Sequence, residues 1–259
     1  MQYMILRRAD PASELSPLPA SESAQLRATL QPSAKAVRLT LGEGEPVIEH
    51  GPFLDPAEMI AGFGVVEAES VAAAAESLRQ WPTHTPVEIE IRESGCPGGC
   101  AEVHPAKVDD PQGKRFAVLL RASDELENEV PVPQVKLDTL DRHNASEAAR
   151  GILLAADGLR SSARGARVKV GKGSFSVMDG PFTEIKEMIA GYWLIRVASM
   201  DEAIAWAVRN PYPTGPKVEV EIRELVEDGF TAAQLKADQN MRASQLDMAM
   251  RAELAGRTA

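Results

Sequence analysis

Two stretches of this chain are diverged copies of one α/β unit, and each closes in the same order: Gly-Pro-Phe, strand, helix, acidic strand. Aligning Gly51-Pro52-Phe53 with Gly180-Pro181-Phe182 brings residues 33–82 onto 162–211 without a gap. About sixteen of those fifty positions are identical, which reads as duplication rather than chance. The identities include Arg38 with Arg167, the Gly42/Gly44 pair with Gly171/Gly173, and the segment EMIAG at 58–62 and 187–191. The outer ends agree as well: EIEIRE (88–93) matches EVEIRE (219–224), and QYMILRRA (2–9) matches RFAVLLRA (115–122).

Each copy can be read as structure. Residues 3–7 and 116–120 are short apolar runs suited to buried strands. In copy two, 136–150 predicts a helix stopped by Gly151, and 152–155 begins a strand. The segments 166–170 and 175–178 flank Gly171-Lys172-Gly173, a hairpin signal, and 191–198 is a further strand. Ser199 and Glu202 form a capping box opening a helix to about Arg209, with Ala203, Ile204, Ala207 and Val208 as its buried stripe. The alternation of Val218, Val220 and Ile222 with charged neighbours predicts a strand with one wet face. In copy one only a brief helix near 21–30 fits between the first strand and Ser33, which predicts an incomplete sheet.

Strand–helix–strands–helix–strand is the ferredoxin-like pattern, whose sheet carries helices on one face and needs cover on the other. Two copies can supply that cover. The expected fold is therefore α+β, two ferredoxin-like repeats packed sheet to sheet as an intrachain dimeric α+β barrel. The divisions are 1–93 (degenerate repeat), 94–114 (a Cys/Gly/Pro connection), 115–226 (second repeat) and 227–259 (a helical extension, from about 232 to 254).

The motif Asp179-Gly180-Pro181-Phe182, extended through TEIKE, an aromatic strand and DEAIAW, resembles the YCII-related family, DGPF subgroup. The resemblance covers all of copy two and, more weakly, copy one. It implies a dimeric α+β barrel. Related members are suspected enzymes with a His/Asp pair in a polar cleft, and one branch removes chloride from a hydroxylated aromatic ring. Many DGPF proteins are encoded beside extracytoplasmic-function sigma factors. Two roles follow as expectations: a lyase or isomerase acting on a small polar or aromatic molecule in an inter-repeat cleft, or a non-catalytic regulator or adaptor linked to a sigma factor or a stress response.

For the enzyme role, Asp179 at a strand end is the candidate acid/base, against the alternative of a turn-forming residue. Arg167 is placed to bind substrate or to form a structural ion pair. Phe182 and Trp193 offer aromatic surface, and Lys186 offers a cation for an anionic group. His143, on the first helix of copy two, sits about a turn from where the resemblance puts a dyad histidine. Copy one carries His50 in place of Asp179 and Arg38 in place of Arg167, a second pocket or a lost one. Cys96, Cys100 and His104 in GCPGGCAEVHP admit three readings: zinc ligands completed by His84 or a carboxylate, a redox thiol pair, or two unpaired linker cysteines. No other cofactor is expected.

Composition narrows the partners. A formal net charge of −10 argues against nucleic acid and anionic membranes. The opening MQYMILRRAD has its arginines after the apolar run, opposite to a secretory leader, so a cytoplasmic chain is expected. A small-molecule ligand and a homodimer are compatible with all of this.

Overall fold

The computed structural model describes residues 1–10, 13–14, 24–81, 86–108, 112–171 and 173–226. His84 and the expected helix at 232–254 lie outside them. The first half contributes strands β1 (Gln2–Arg8), β2 (Ala24–Thr29), β3 (Val37–Leu41), β4 (Val47–His50), β5 (Ile60–Glu67) and β6 (Val87–Glu93), with helix α1 (Val71–Ser77) before β6. The second contributes β7 (Lys114–Arg121), the short α2 (Asp124–Glu127), α3 (Gln134–Ala149), β8 (Leu153–Gly158), β9 (Ala166–Gly171), β10 (Ser174–Asp179), β11 (Ile189–Val197), α4 (Met200–Arg209) and β12 (Val218–Glu224).

These strands form two six-stranded antiparallel sheets, in the orders β10-β9-β6-β1-β5-β2 and β4-β3-β12-β7-β11-β8. Within each sheet four strands of one half take the ferredoxin-like order, for example β12-β7-β11-β8. The two strands at one edge come from the other half. Hairpin β3–β4 adds to β12, with Leu39 opposite Val220, and hairpin β9–β10 adds to β6, with Val168 opposite Ile89. The halves have exchanged hairpins, so neither sheet is incomplete, contrary to expectation.

Three apolar clusters follow from the alternation of the strands. Met4, Leu6 and Phe63 of the first sheet join Leu119, Tyr192 and Leu194 of the second in one shared core, with the Phe63 and Tyr192 ring centroids 5.2 Å apart. The other face of the second sheet buries Val118, Val220 and Ile222 with Leu140 of α3 and Trp206 of α4. The corresponding face of the first sheet buries Ile5, Ile89 and Ile91 with Ala74 and Ala75 of α1. Each exchanged hairpin joins the cluster of its host: Val37 and Leu39 pack with the α4 side, Val168 and Val170 with the α1 side.

The expected helices α3 and α4 form where the pattern put them. Gly151 at φ 72° ends the first. The Ser199 hydroxyl accepts from the Glu202 backbone N–H to open the second. The brief helix expected near 21–30 is instead strand β2. Leu26 is half-buried while Ala28 and Leu30 are buried, a period of two that fits a pleated edge beside β5. The expected wet face of β12 is also corrected: Glu221 and Arg223 are 2% and 1% exposed, held by charges described below.

Candidate functional site

The charged residues of the acidic strands build two networks at equivalent places. In one, buried Glu221 accepts from Arg38 (2.9 Å), Arg121 (2.6 Å) and Arg223 (2.9 Å). Arg38 also reaches Glu58 at 2.6 Å, and Arg223 reaches Glu14 at 2.8 Å. In the other, Glu90 meets Arg8 (3.2 Å), Arg92 (3.2 Å) and Arg167 (3.1 Å), while Glu187 pairs with Arg8 and Arg167 and Glu127 with Arg92. Burial alone would raise Glu221, but Arg121, Arg223 and Arg38 overcome it and hold the carboxyl at about 2. Arg38 and Arg167 therefore serve as ion-pair partners that fasten the exchanged hairpins to their host sheets.

The Gly-Pro-Phe motif serves the same fastening. A Cβ on Gly180 would collide with the Ser162 carbonyl oxygen, and one on Gly51 with that of Ser33. The motif phenylalanines lie beneath the hairpin arginines: Arg167 sits 4.3 Å from the Phe182 ring centroid and Arg38 4.0 Å from that of Phe53. Phe182 is buried at 7% exposure, so this ring belongs to the hairpin anchor. Asp179 and His50, one residue earlier, end β10 and β4 and are both exposed.

The concave surface lies elsewhere, in the second half. A mostly apolar recess of about 60 Å³ is lined by Leu120, Leu137, Leu140, Trp193, Asn144, Asp157, Gly158, Thr214 and the loop Cys96–Ala101. That volume holds a few waters or one small group. An open cavity of about 530 Å³ adjoins it, and Leu120, Leu126 and Thr214 are common to both walls. Its rim carries Arg121, Asp124, Glu184, Lys186, Lys217 and Glu219. A third cavity of about 150 Å³ brings Arg38 and Lys186 together with Arg121 and Glu58.

Three polar groups stand out around the recess. Asp157, at the end of β8 and opposite Tyr192 of β11, is raised to about 6 by burial, partly offset by the Gly158 backbone N–H. Burial and then the Asp157 charge push the neighbouring Tyr192 hydroxyl up in turn. Asn144 on α3 accepts from the Trp193 indole N–H at 3.3 Å. The Thr214 hydroxyl, between recess and outer cavity, is buried with no hydrogen-bond partner among the described residues.

The structure thus brings Lys186 and Trp193 into adjoining cavities and leaves Asp179, His50, Phe182 and His143 outside both. His143 packs on Trp206 with ring centroids 5.8 Å apart, and burial lowers its pKa. The sequence reading missed Asp157, Asn144 and Thr214. The one available signal for Asp157 was an acidic residue ending an apolar strand in LLAADG. The equivalent cavity in the first half, about 370 Å³, contains Arg7 where the second half has Leu120. The Arg7 guanidinium donates to the Ser13 carbonyl at 2.7 Å, so a buried cation occupies the place of an apolar wall.

Cys96 and Cys100 form a disulfide, so neither is an unpaired linker cysteine. In this state neither sulfur is a thiolate that could ligate zinc. His104 is exposed, and no cluster of three or more metal-binding side chains occurs among the described residues. No helix among those residues is long and apolar enough to cross a membrane.

A model of the YCII-related domain matches residues 1–93 and 115–226. An uncharacterized protein of Rhizobium meliloti (strain 1021) is 42% identical over 59 residues, 22% of this chain and 48% of that relative, so the match spans about half the relative's length. A crystal structure of an anthrone oxidase-like protein aligns over 87% of this chain and 91% of its own at 9% identity and a TM-score of 0.32, too distant to show a shared fold or activity. With its two matched segments covering most of its length, the chain belongs to the YCII-related family.

Proposed function

We propose that this protein is an acid–base enzyme of the lyase or isomerase type, acting on a small molecule in the cleft of its second half. The observation that carries the reading is the apolar recess that opens on a larger polar cavity, with Asp157, a carboxyl raised to about 6, at the end of the β8 strand that lines it. A group poised near neutrality in a largely dry site is what proton abstraction and return require. Trp193 and the leucines take the apolar body of the substrate. Lys186 and Thr214 meet its polar end. Asp179, the carboxyl expected from the motif, is exposed and outside these cavities, so Asp157 takes the acid/base role in this proposal.

The chain is in this proposal a tandem duplication within the DGPF subgroup and the intrachain counterpart of a dimeric α+β barrel, supported by the matching strand orders of the two halves and a core shared by both sheets. The test begins with mass spectrometry of small molecules that co-purify with the chain from its native host. Turnover of the molecule found is then compared in Asp157→Asn and Asp179→Asn. The expected outcome is a loss of at least about a hundredfold in kcat for Asp157→Asn, an unchanged rate for Asp179→Asn, and a wild-type kcat that rises with pH through about 6. Loss of turnover in Asp179→Asn alone would transfer the role to the hairpin.

A second reading has one observation in its favour. Gly98 and Gly99 expose the tip of the disulfide loop, a surface that a regulatory protein with a sigma-factor partner could present inside the cell. A stable complex in pull-downs, with empty cavities, would support it over the enzyme.

A further inference from the structure

The disulfide does more in this fold than join two cysteines in a connecting loop. Cys96, Pro97, Gly98, Cys100 and Ala101 all line the apolar recess, so the five-residue ring they close forms one wall of it. The loop lies across the end of β8: the Gly95 N–H donates to the Gly158 carbonyl at 2.9 Å. A Cβ on Gly158 would come within 2.8 Å of the Cys96 Sγ. Its far side leans on α3, where the Ala101 N–H donates to the Asp141 carboxylate at 3.1 Å and a Cβ on Gly98 would meet the Leu137 side chain at 2.5 Å. Few attachments hold this wall, and the disulfide is the covalent one. Both cysteines are half-buried and the glycines between them are exposed, so a small thiol can approach the bond in the folded chain.

We propose that Cys96–Cys100 is an exchangeable redox clasp on the recess, closed as the disulfide and released as the dithiol. The inference rests on the recess being the functional site. The thiolate of a small thiol attacks one cysteine sulfur, breaks the S–S bond and releases the other sulfur as a thiolate. A second thiol molecule displaces the first from the mixed disulfide and leaves with it as the oxidised small-molecule disulfide. The two cysteine sulfurs take up the two protons that the thiols gave up. Two electrons pass to the protein and the recess loses its covalent wall.

The experiment uses the full chain and glutathione as the probe. The folded protein is equilibrated in buffers of reduced and oxidised glutathione, free thiols are trapped with a maleimide, and hydrogen exchange by mass spectrometry follows peptides spanning 94–101, α3 and β8 in each state. The expected result is reversible reduction without unfolding, with amides of 94–101 exchanging at least about tenfold faster once reduced. The variant Cys96→Ser/Cys100→Ser should match the reduced state at every glutathione ratio. A disulfide that resists millimolar glutathione until the chain unfolds would overturn the proposal. So would reduction that leaves exchange of the loop unchanged. Neither readout involves turnover, so failure of the clasp and failure of the acid–base reading are separable.

Discussion

At the scale of single residues, a buried and a half-buried carboxyl are tuned in opposite directions, and their effects on stability have opposite signs. Glu221 is held at about 2, below its ordinary value, by Arg121, Arg223 and Arg38. A depressed carboxyl contributes stability that is complete above its unfolded pKa and is lost as pH falls toward the folded one. Urea titrations should therefore show stability falling between about pH 4.5 and 2. Glu221→Gln should flatten that slope and cost about 3–5 kcal/mol at pH 7, because three arginines lose the charge that compensates them. Asp157 runs the other way. Its pKa is raised to about 6, so the folded chain holds the proton more tightly and stability declines as pH rises from the ordinary carboxylate range through 6. Asp157→Asn should be more stable than wild type at pH 8 and equal to it at pH 3.5 in the same titrations, while losing the proposed activity. A residue that weakens the fold in its working state is in keeping with a functional role.

At the scale of elements, the Gly-Pro-Phe hairpin anchor explains the feature most visible in the sequence. The glycine clears a carbonyl oxygen, and the phenylalanine lies beneath the hairpin arginine. Gly180→Ala should lower the urea midpoint by an amount equivalent to about 1–3 kcal/mol or more, since backbone rather than a flexible side chain must move. Helices α3 and α4 were legible because the first has a glycine stop and the second a capping box and a buried stripe. Strand β2 was misread because a short run such as AQLRATL satisfies either period, and only the edge of β5 decides between them. Asp157 escaped notice for a related reason: Ala-Asp-Gly reads as a turn until β11 is seen to pair alongside it. The recurrence of Arg38 and Arg167 was legible too, but their partners were not. Glu221 and Glu90 lie 183 and 77 positions away, and no local pattern announces such pairs.

At the scale of the whole molecule, the exchange of hairpins makes the halves interdependent. Each sheet takes two strands from the other half, and each ion-pair network draws on both. Unfolding in urea should therefore appear as one transition, with far-UV circular dichroism and tryptophan fluorescence coinciding within error. Two separated transitions would show that the halves fold independently. The repeated spacing was legible in the sequence, whereas the exchange of hairpins was not. A β3–β4 hairpin pairs equally well, on sequence alone, with either acidic strand, because EIEIRE and EVEIRE are nearly the same.

The exchanged hairpins also make the molecule a natural pair of complementing fragments. Cut between residues 108 and 109, each piece would carry a hairpin and a sheet edge that in the intact chain are paired with those of the other piece. Expressed alone, either piece presents that open edge to solvent and should self-associate. Expressed together, they hold each other's missing strands, and the surface that threatens aggregation in one becomes the docking site for its counterpart.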